Sequence, residues 1–221
     1  MRTKRPIGLL GGTFDPIHFG HLRLAEEARE TLDLAEMRLV PAGEPPHRDT
    51  PRSPAQHRLA MARLAVDSNP GLRVDDIEIR HPGPSYSVLT LSRLREAVGP
   101  DQPLVLILGA DAFEGLPGWH RWEELFSLAH IAVANRPGHA PHARRWPALL
   151  DAALDDACSP RLTTDEQALA RAPAGSVVPF EMTPLAISAT RIRELLAGGH
   201  SARYLLPDDV LDYIWKHSLY R

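Results

Sequence analysis

Two histidines three residues apart, His18 and His21, stand at the start of a helical pattern, directly after Gly11-Gly12-Thr13-Phe14-Asp15-Pro16-Ile17. An imidazole N–H donates to phosphate oxygens, and an imidazolium adds charge. The glycines let main chain approach a ligand closely. Loop amides followed by a helix N-terminus make an anion site. The segment lacks both the Lys-Ser/Thr ending of a P-loop and the G-x-G-x-x-G spacing of a dinucleotide fold. Zinc is a competing partner for paired histidines, but no Cys or carboxylate stands at ligand spacing beside them. Far along the chain, Ile187-Ser188-Ala189-Thr190-Arg191-Ile192-Arg193 reads as a helix start with Ser188 as N-cap. Arg191 stands where a capping box would place Glu or Gln. Cations at a helix N-terminus oppose its dipole by about 0.3–1 kcal/mol each, a conflict that a polyanion bound between them would resolve. Composition offers the plainer account, because 23 of the 25 basic residues are arginine. A third feature is Trp119, after Pro117-Gly118, which presents a face to a flat ring.

These residues need elements to hold them. Short apolar runs predict strands at Pro6–Gly11, Met37–Pro41, Leu72–Ile79, Pro103–Gly109, His130–Asn135 and Val177–Met182. Helical spacing or caps predict helices at Phe19–Leu34, from Ser53 (N-cap) and Pro54 to about Asn69, and at Ser87–Val98, Arg121–Leu128, Ser188–Ala197 and Pro207–His217. Residues 137–175 are ambiguous, with a helix expected around Ala148–Ala157. Strands alternating with helices imply parallel pairing through right-handed crossovers. The expected fold is α/β: a doubly wound, Rossmann-like parallel sheet with helices on both faces and a C-terminal helical segment. Ligands in such sheets sit beyond the strand carboxyl ends. Residues 1–221 are expected to form one domain, with an α/β core over 1–186 and two helices over 187–221.

The 221 residues are 43% hydrophobic and 24% charged, which excludes a disordered chain. A net charge of −3 argues against a nucleic-acid partner. No apolar run approaches the roughly 18–20 residues that span a bilayer, and the basic start is not followed by the apolar stretch of a secretory signal. Cys158 is the sole cysteine, so a reducing, cytoplasmic setting is expected.

Taken together, the two helix-start segments resemble the nucleotidylyltransferase superfamily, whose motifs are His-x-Gly-His and Ile-Ser-x-Thr-x-x-Arg. The similarity is closer to the bacterial nicotinate mononucleotide adenylyltransferase family. Residues 11–21 match its opening, Gly-Gly-Thr-Phe-Asp-Pro-x-His-x-Gly-His, throughout. It continues in Pro45–Arg48, Pro84–Ser87, Ile107–Asp111, Pro117–His120, Arg136–Gly138 and Ile187–Arg193, and in the ending with Leu205-Leu206-Pro207-Asp208, Tyr213-Ile214 and Leu219-Tyr220-Arg221. The chain departs from many relatives at Ala42-Gly43, where they carry asparagine, and at Ala110 and Ala112 beside Asp111.

The resemblance implies adenylyl transfer from ATP to nicotinate mononucleotide, giving nicotinate adenine dinucleotide and pyrophosphate, a late step of NAD biosynthesis, without a covalent enzyme intermediate. It implies that His18 and His21 are catalytic. ATP would be bound by Gly12, Thr13, Phe14, His18, His21, Ser188, Thr190 and Arg193, with Arg191 at a variable position. The acceptor would be bound by His47, Arg48, Ser87, Asp111, Trp119, His120 and Arg136. Mg2+ would arrive with ATP. Oligomeric state is left open, a homo-oligomer included. A sister transferase acting on phosphopantetheine would share the first and last motifs but lack the middle ones. A nucleotide sensor without turnover is a reading of another class. His139 and His142, in a proline-rich stretch, read as solvated rather than as a metal pair.

Overall fold

The computed structural model describes residues 4–45, 50–135 and 151–221. Along the chain run β1 (Ile7–Gly12), α1 (Phe19–Thr31), β2 (Glu36–Pro41), α2 (Ala55–Val66), β3 (Leu72–Val74), α3 (Ile77–Arg80), α4 (Ser87–Val98), β4 (Leu104–Gly109) and α5 (Ala110–Glu114). Then follow α6 (Leu125–Leu128), β5 (His130–Asn135), α7 (Ala152–Cys158), α8 (Ala168–Arg171), β6 (Val177–Glu181), α9 (Ala189–Ala197) and α10 (Asp208–Lys216). The six strands make one sheet in the order β3-β2-β1-β4-β5-β6, and every neighbouring pair is parallel. The fold is the expected Rossmann-like one.

The central strands β4 and β5 are buried on both faces because each face carries helices. Alternate residues of β4 and β5 part company as the pleat requires. Val105, Ile107, Ala132 and Ala134 share one core with Ala25 and Ala28 of α1, Met61 of α2, Ile192 of α9 and Val210 of α10. Leu104, Leu106, Leu108, Ile131 and Val133 share the other with Val88, Leu91 and Leu94 of α4, Phe113 of α5 and Leu154 of α7. The sequence order reverses between β1 and β4, so the loops leaving these neighbouring strands diverge and open a crevice between them.

Several elements differ from expectation. Leu72–Ile79 is not one strand: β3 ends at Val74, and Ile77–Arg80 turns into α3. The Asp75 carboxylate accepts the Ile77 amide at 3.1 Å, a side-chain-to-backbone turn that competes with extension. Ser53 is not the cap of α2. Pro54 holds that position, and Ser53 turns inward and is buried. Arg121–Leu128 is not one helix: Arg121, with a left-handed φ of 53°, precedes a 3-10 turn at Trp122–Glu124, and α6 begins only at Leu125. The helix expected near Ala148–Ala157 begins at Ala152, where the Asp151 carboxylate accepts the Ala153 amide at 2.9 Å. The five-residue α5 is too short to show a period.

Ile107 is 1% exposed at the centre of the sheet. Truncating it to alanine leaves a cavity that two packed layers cannot close, so Ile107→Ala should cost about 2–5 kcal/mol in urea unfolding.

Candidate active site

The loop leaving β1 builds one wall of the crevice. Gly12 is needed there for space: a Cβ on it would lie 2.7 Å from Cε1 of Phe14. Phe14 is buried with φ 50°, and its ring meets the His21 ring edge-on, centroids 5.0 Å apart. His18 is the N-cap residue of α1. Its ring stacks on His21 with centroids 3.7 Å apart and planes 22° apart. A Cβ at Gly20 would lie 3.0 Å from two His18 ring atoms, so any larger residue there would push on that ring.

The local backbone also sets a tautomer. The His18 amide donates to Nδ1 of His21 at 3.3 Å, so a neutral His21 carries its proton on Nε2. His18 is 5% exposed, and its Nδ1 is buried with no hydrogen-bond partner among the described residues. Such an orphan costs about 1–3 kcal/mol unless a ligand satisfies it. Burial pushes the His18 pKa down to about 4, against a smaller opposing backbone hydrogen bond. The ring is therefore neutral at pH 7.

The opposite wall is the start of α9. Ser188 caps it, accepting the Arg191 amide at 3.2 Å. The Arg193 guanidinium reaches back across the cleft, donating to the Asp15 carbonyl at 2.7 Å and to the Thr190 hydroxyl at 3.2 Å. Together these segments line a cavity of about 890 Å3 that includes Gly12, Thr13, Phe14, His18, His21, Ser188, Thr190 and Arg193. Arg191 is not among its lining residues and pairs instead with Glu194 at 3.4 Å.

A second cavity of about 300 Å3 adjoins it, and both are bounded by Gly11, Gly12 and Thr13. Ser87, Asp111, Trp119 and His120 line the second cavity. Ser87 is the first residue of α4. Asp111 lies in the first turn of α5 rather than at a strand end. Tyr86 stacks on His120, centroids 4.4 Å apart, which fixes the rim beside Trp119. Of the acceptor residues expected from the sequence, His47, Arg48 and Arg136 lie outside the described residues, as do His139 and His142.

Three residues that shape the site were missed in the sequence. Arg58 is 1% exposed and donates to the carbonyls of Ser53 at 3.1 Å, Thr13 at 2.8 Å and Gly43 at 3.0 Å. Asp15 accepts the amides of Arg52 at 2.7 Å and Ser53 at 3.2 Å and the Tyr220 hydroxyl at 2.6 Å. Glu78 borders the second cavity and accepts the Thr90 hydroxyl at 2.6 Å. Burial pushes its carboxyl upward, against hydrogen bonds from Thr90 and Ser85. Of these, Asp15 alone had a signal, its place inside the opening motif. Arg58 was hidden by the arginine-rich composition.

A parallel sheet with paired cavities at its switch point defines a nucleotide-binding transferase of the cytidylyltransferase-like family, whose profile matches residues 9–195. Nearer relatives narrow this. A protein of Dechloromonas aromatica named "Probable nicotinate-nucleotide adenylyltransferase" is 55% identical over 99% of both chains. One of the same name from Hahella chejuensis is 47% identical over 100% of this chain and 98% of its own. The chain belongs to the nicotinate-nucleotide adenylyltransferase family. Its fold is shared with the solved Plasmodium falciparum nicotinic acid mononucleotide adenylyltransferase complexed with NaAD, at TM-score 0.68 and 17% identity, covering 98% and 97% of the two chains.

The buried neutral histidine has a consequence for pH. With a folded pKa of about 4 and an unfolded pKa near 6.5, the unfolded chain binds more protons between these values. His18 therefore lowers stability as pH falls from about 6.5 to about 4, and its contribution is constant above that range. Urea unfolding between pH 4 and 7 should show this loss, and His18→Gln should flatten it.

Proposed function

We propose that this chain transfers the adenylyl group of ATP to nicotinate mononucleotide, releasing pyrophosphate and forming nicotinate adenine dinucleotide. The supporting observation is that residues 11–21 and 187–193, far apart in sequence, line one cavity, and that this cavity meets a second, aromatic-edged one at Gly12 and Thr13. The larger takes the triphosphate and the smaller takes the mononucleotide.

The mononucleotide phosphate oxygen attacks the α-phosphorus in line, and the bond from that phosphorus to the β-phosphate bridge oxygen breaks. Such a transfer asks mainly for positioning and charge stabilisation. The Thr13 and Phe14 amides hold the α-phosphate and the incoming phosphate. His21, through Nε2–H, and His18 donate to oxygens whose charge grows as pyrophosphate departs. Ser188, Thr190 and Arg193 hold the β- and γ-phosphates. Among the described residues no three His, Cys, Asp or Glu side chains cluster as a metal cage. Mg2+ would arrive with ATP, held more by substrate oxygens and water than by side chains, and would supply charge neutralisation there. No covalent step is needed. The Cys158 thiol, pushed up to about 12 by burial, is no nucleophile at neutral pH.

On the acceptor side Trp119 stacks on the pyridine, the amides of Ser87 and His120 receive its carboxylate, and Asp111 accepts from a ribose hydroxyl. His47, Arg48 and Arg136 are the proposed partners of the phosphates. Two N–H donors suit a carboxylate and would oppose the NH2 of a carboxamide. We further propose that residues 1–221 act as one domain in the cytoplasm. No described helix is long and apolar enough to cross a membrane.

Pyrophosphate release with MgATP and nicotinate mononucleotide tests the reaction directly, and tight ATP binding without turnover would favour a sensor instead. His18→Ala should lower kcat by about 10²–10³, the scale of one lost transition-state donor. The acid mononucleotide should be preferred over the amide in kcat/KM, and a ratio near one would remove the two-amide carboxylate site.

A further inference from the structure

The chain's ending, Leu219-Tyr220-Arg221, has no part in the reaction as assigned above. The structure carries it back to the site. After α10 the Leu219 amide bonds to the Ile214 carbonyl at 3.1 Å. Tyr220 then takes a left-handed φ of 62°, a conformation that bulky residues avoid unless contacts impose it. The contact that imposes it is the Tyr220 hydroxyl, donating to Oδ1 of Asp15 at 2.6 Å.

Asp15 is an awkward residue for its place. It lines the larger cavity, where the triphosphate is to bind, and a carboxylate there repels phosphate. The structure deals with this by engaging the group on every side. Oδ2 takes the Arg52 amide at 2.7 Å, while Oδ1 takes the Ser53 amide at 3.2 Å as well as the tyrosine hydroxyl. The Asp15 carbonyl takes Nη1 of Arg193 at 2.7 Å. Arg52, Thr190 and Arg193 all line the same cavity, and Tyr220 does not. Burial, with the Asp15 carboxylate beside it, pushes the Tyr220 phenol far above its usual range, so it stays a donor at all working pH values.

We propose that Tyr220 is a positioning residue for the nucleoside triphosphate: through Asp15, its hydroxyl directs the carboxylate away from the phosphates and holds Arg193 and the Arg52–Ser53 backbone in place around them. Without the hydroxyl, Oδ1 loses one of its two donors, the carboxylate can turn toward the cavity, and the loop carrying Arg193's acceptor loosens. The effect falls on ATP alone, because the second cavity is lined by other residues beyond the shared Gly11–Thr13 segment. The inference rests on the assignment of the larger cavity to ATP.

The test compares the full-length wild type with Tyr220→Phe and Tyr213→Phe. Tyr213 contacts Nδ1 of His57 at 2.9 Å, so its variant loosens the docking of α10 without touching Asp15. In steady-state pyrophosphate release, Tyr220→Phe should raise KM for MgATP about 10-fold, the scale of one lost hydrogen bond to a charged group. KM for nicotinate mononucleotide should stay within about twofold, the spread expected of independent sites. Tyr213→Phe should match the wild type in both. In an Asp15→Asn background the tyrosine substitution should add little, as groups acting through one another are not additive. Calorimetry with MgATP on the same proteins reads the donor site without turnover. Unchanged ATP affinity in Tyr220→Phe, equal losses in Tyr213→Phe, or equal rises in both KM values would each overturn the proposal, leaving a merely structural tail. A wild type that binds ATP but releases no pyrophosphate would sink the transferase reading and leave this inference standing.

Discussion

Three backbone carbonyls converge on one buried cation. Arg58 leaves α2, which is not itself part of the site, and its guanidinium ends between the loop after β1, the loop after β2 and the segment before α2. Taking such a charge out of water costs several kcal/mol, and burial pulls its pKa down against the nearby Asp15 charge. The carbonyls of Thr13, Gly43 and Ser53 and the Asp15 field offset that cost. In exchange, three loops with no regular structure of their own acquire a common anchor. Both cavities border on it: Thr13 bounds the two of them, and Gly43 lies between Ala42 and Pro45, which line the second.

Around that anchor the site is arranged as opposing needs. Under the proposed function the cradle attracts a polyanion, yet His18 is buried and neutral without one. A permanently charged imidazole there would be expensive in the empty protein. A neutral one gains charge or hydrogen bonds when phosphate oxygens supply them. Arg193 provides the standing positive charge, held by the Asp15 carbonyl. His130, which is fully buried, shows the contrast. Its two ring nitrogens are matched by the Ala172 carbonyl and the Ser176 amide at 2.8 and 3.0 Å. It is a satisfied core residue, whereas His18 keeps a ring nitrogen without a partner among the described residues.

Much of the sheet was legible because strands covered on both faces are continuous apolar runs. β4 and β5 were read within a residue of their ends for that reason. Helices with strong stops, such as α4 before Gly99-Pro100, were equally plain. Legibility failed where side chains bonded their own backbone or where elements were too short for a period. Asp75 turned a strand into α3, and α5 left no pattern at all.

For the site the division is sharper. The amino-acid order alone determined which residue types could handle phosphate, namely the histidine pair, the Ser188–Arg193 helix start and the amides of the β1 loop, because these groups are local and contiguous. Only the tertiary structure decided that the two stretches face each other, that Arg193 and not Arg191 turns inward, and that Arg58, Asp15 and Tyr220 belong to the same assembly. Such pairings join residues as far apart as Asp15 and Tyr220. Nothing in local spacing encodes them, since they form when a sheet reversing direction between β1 and β4 brings remote loops to one edge.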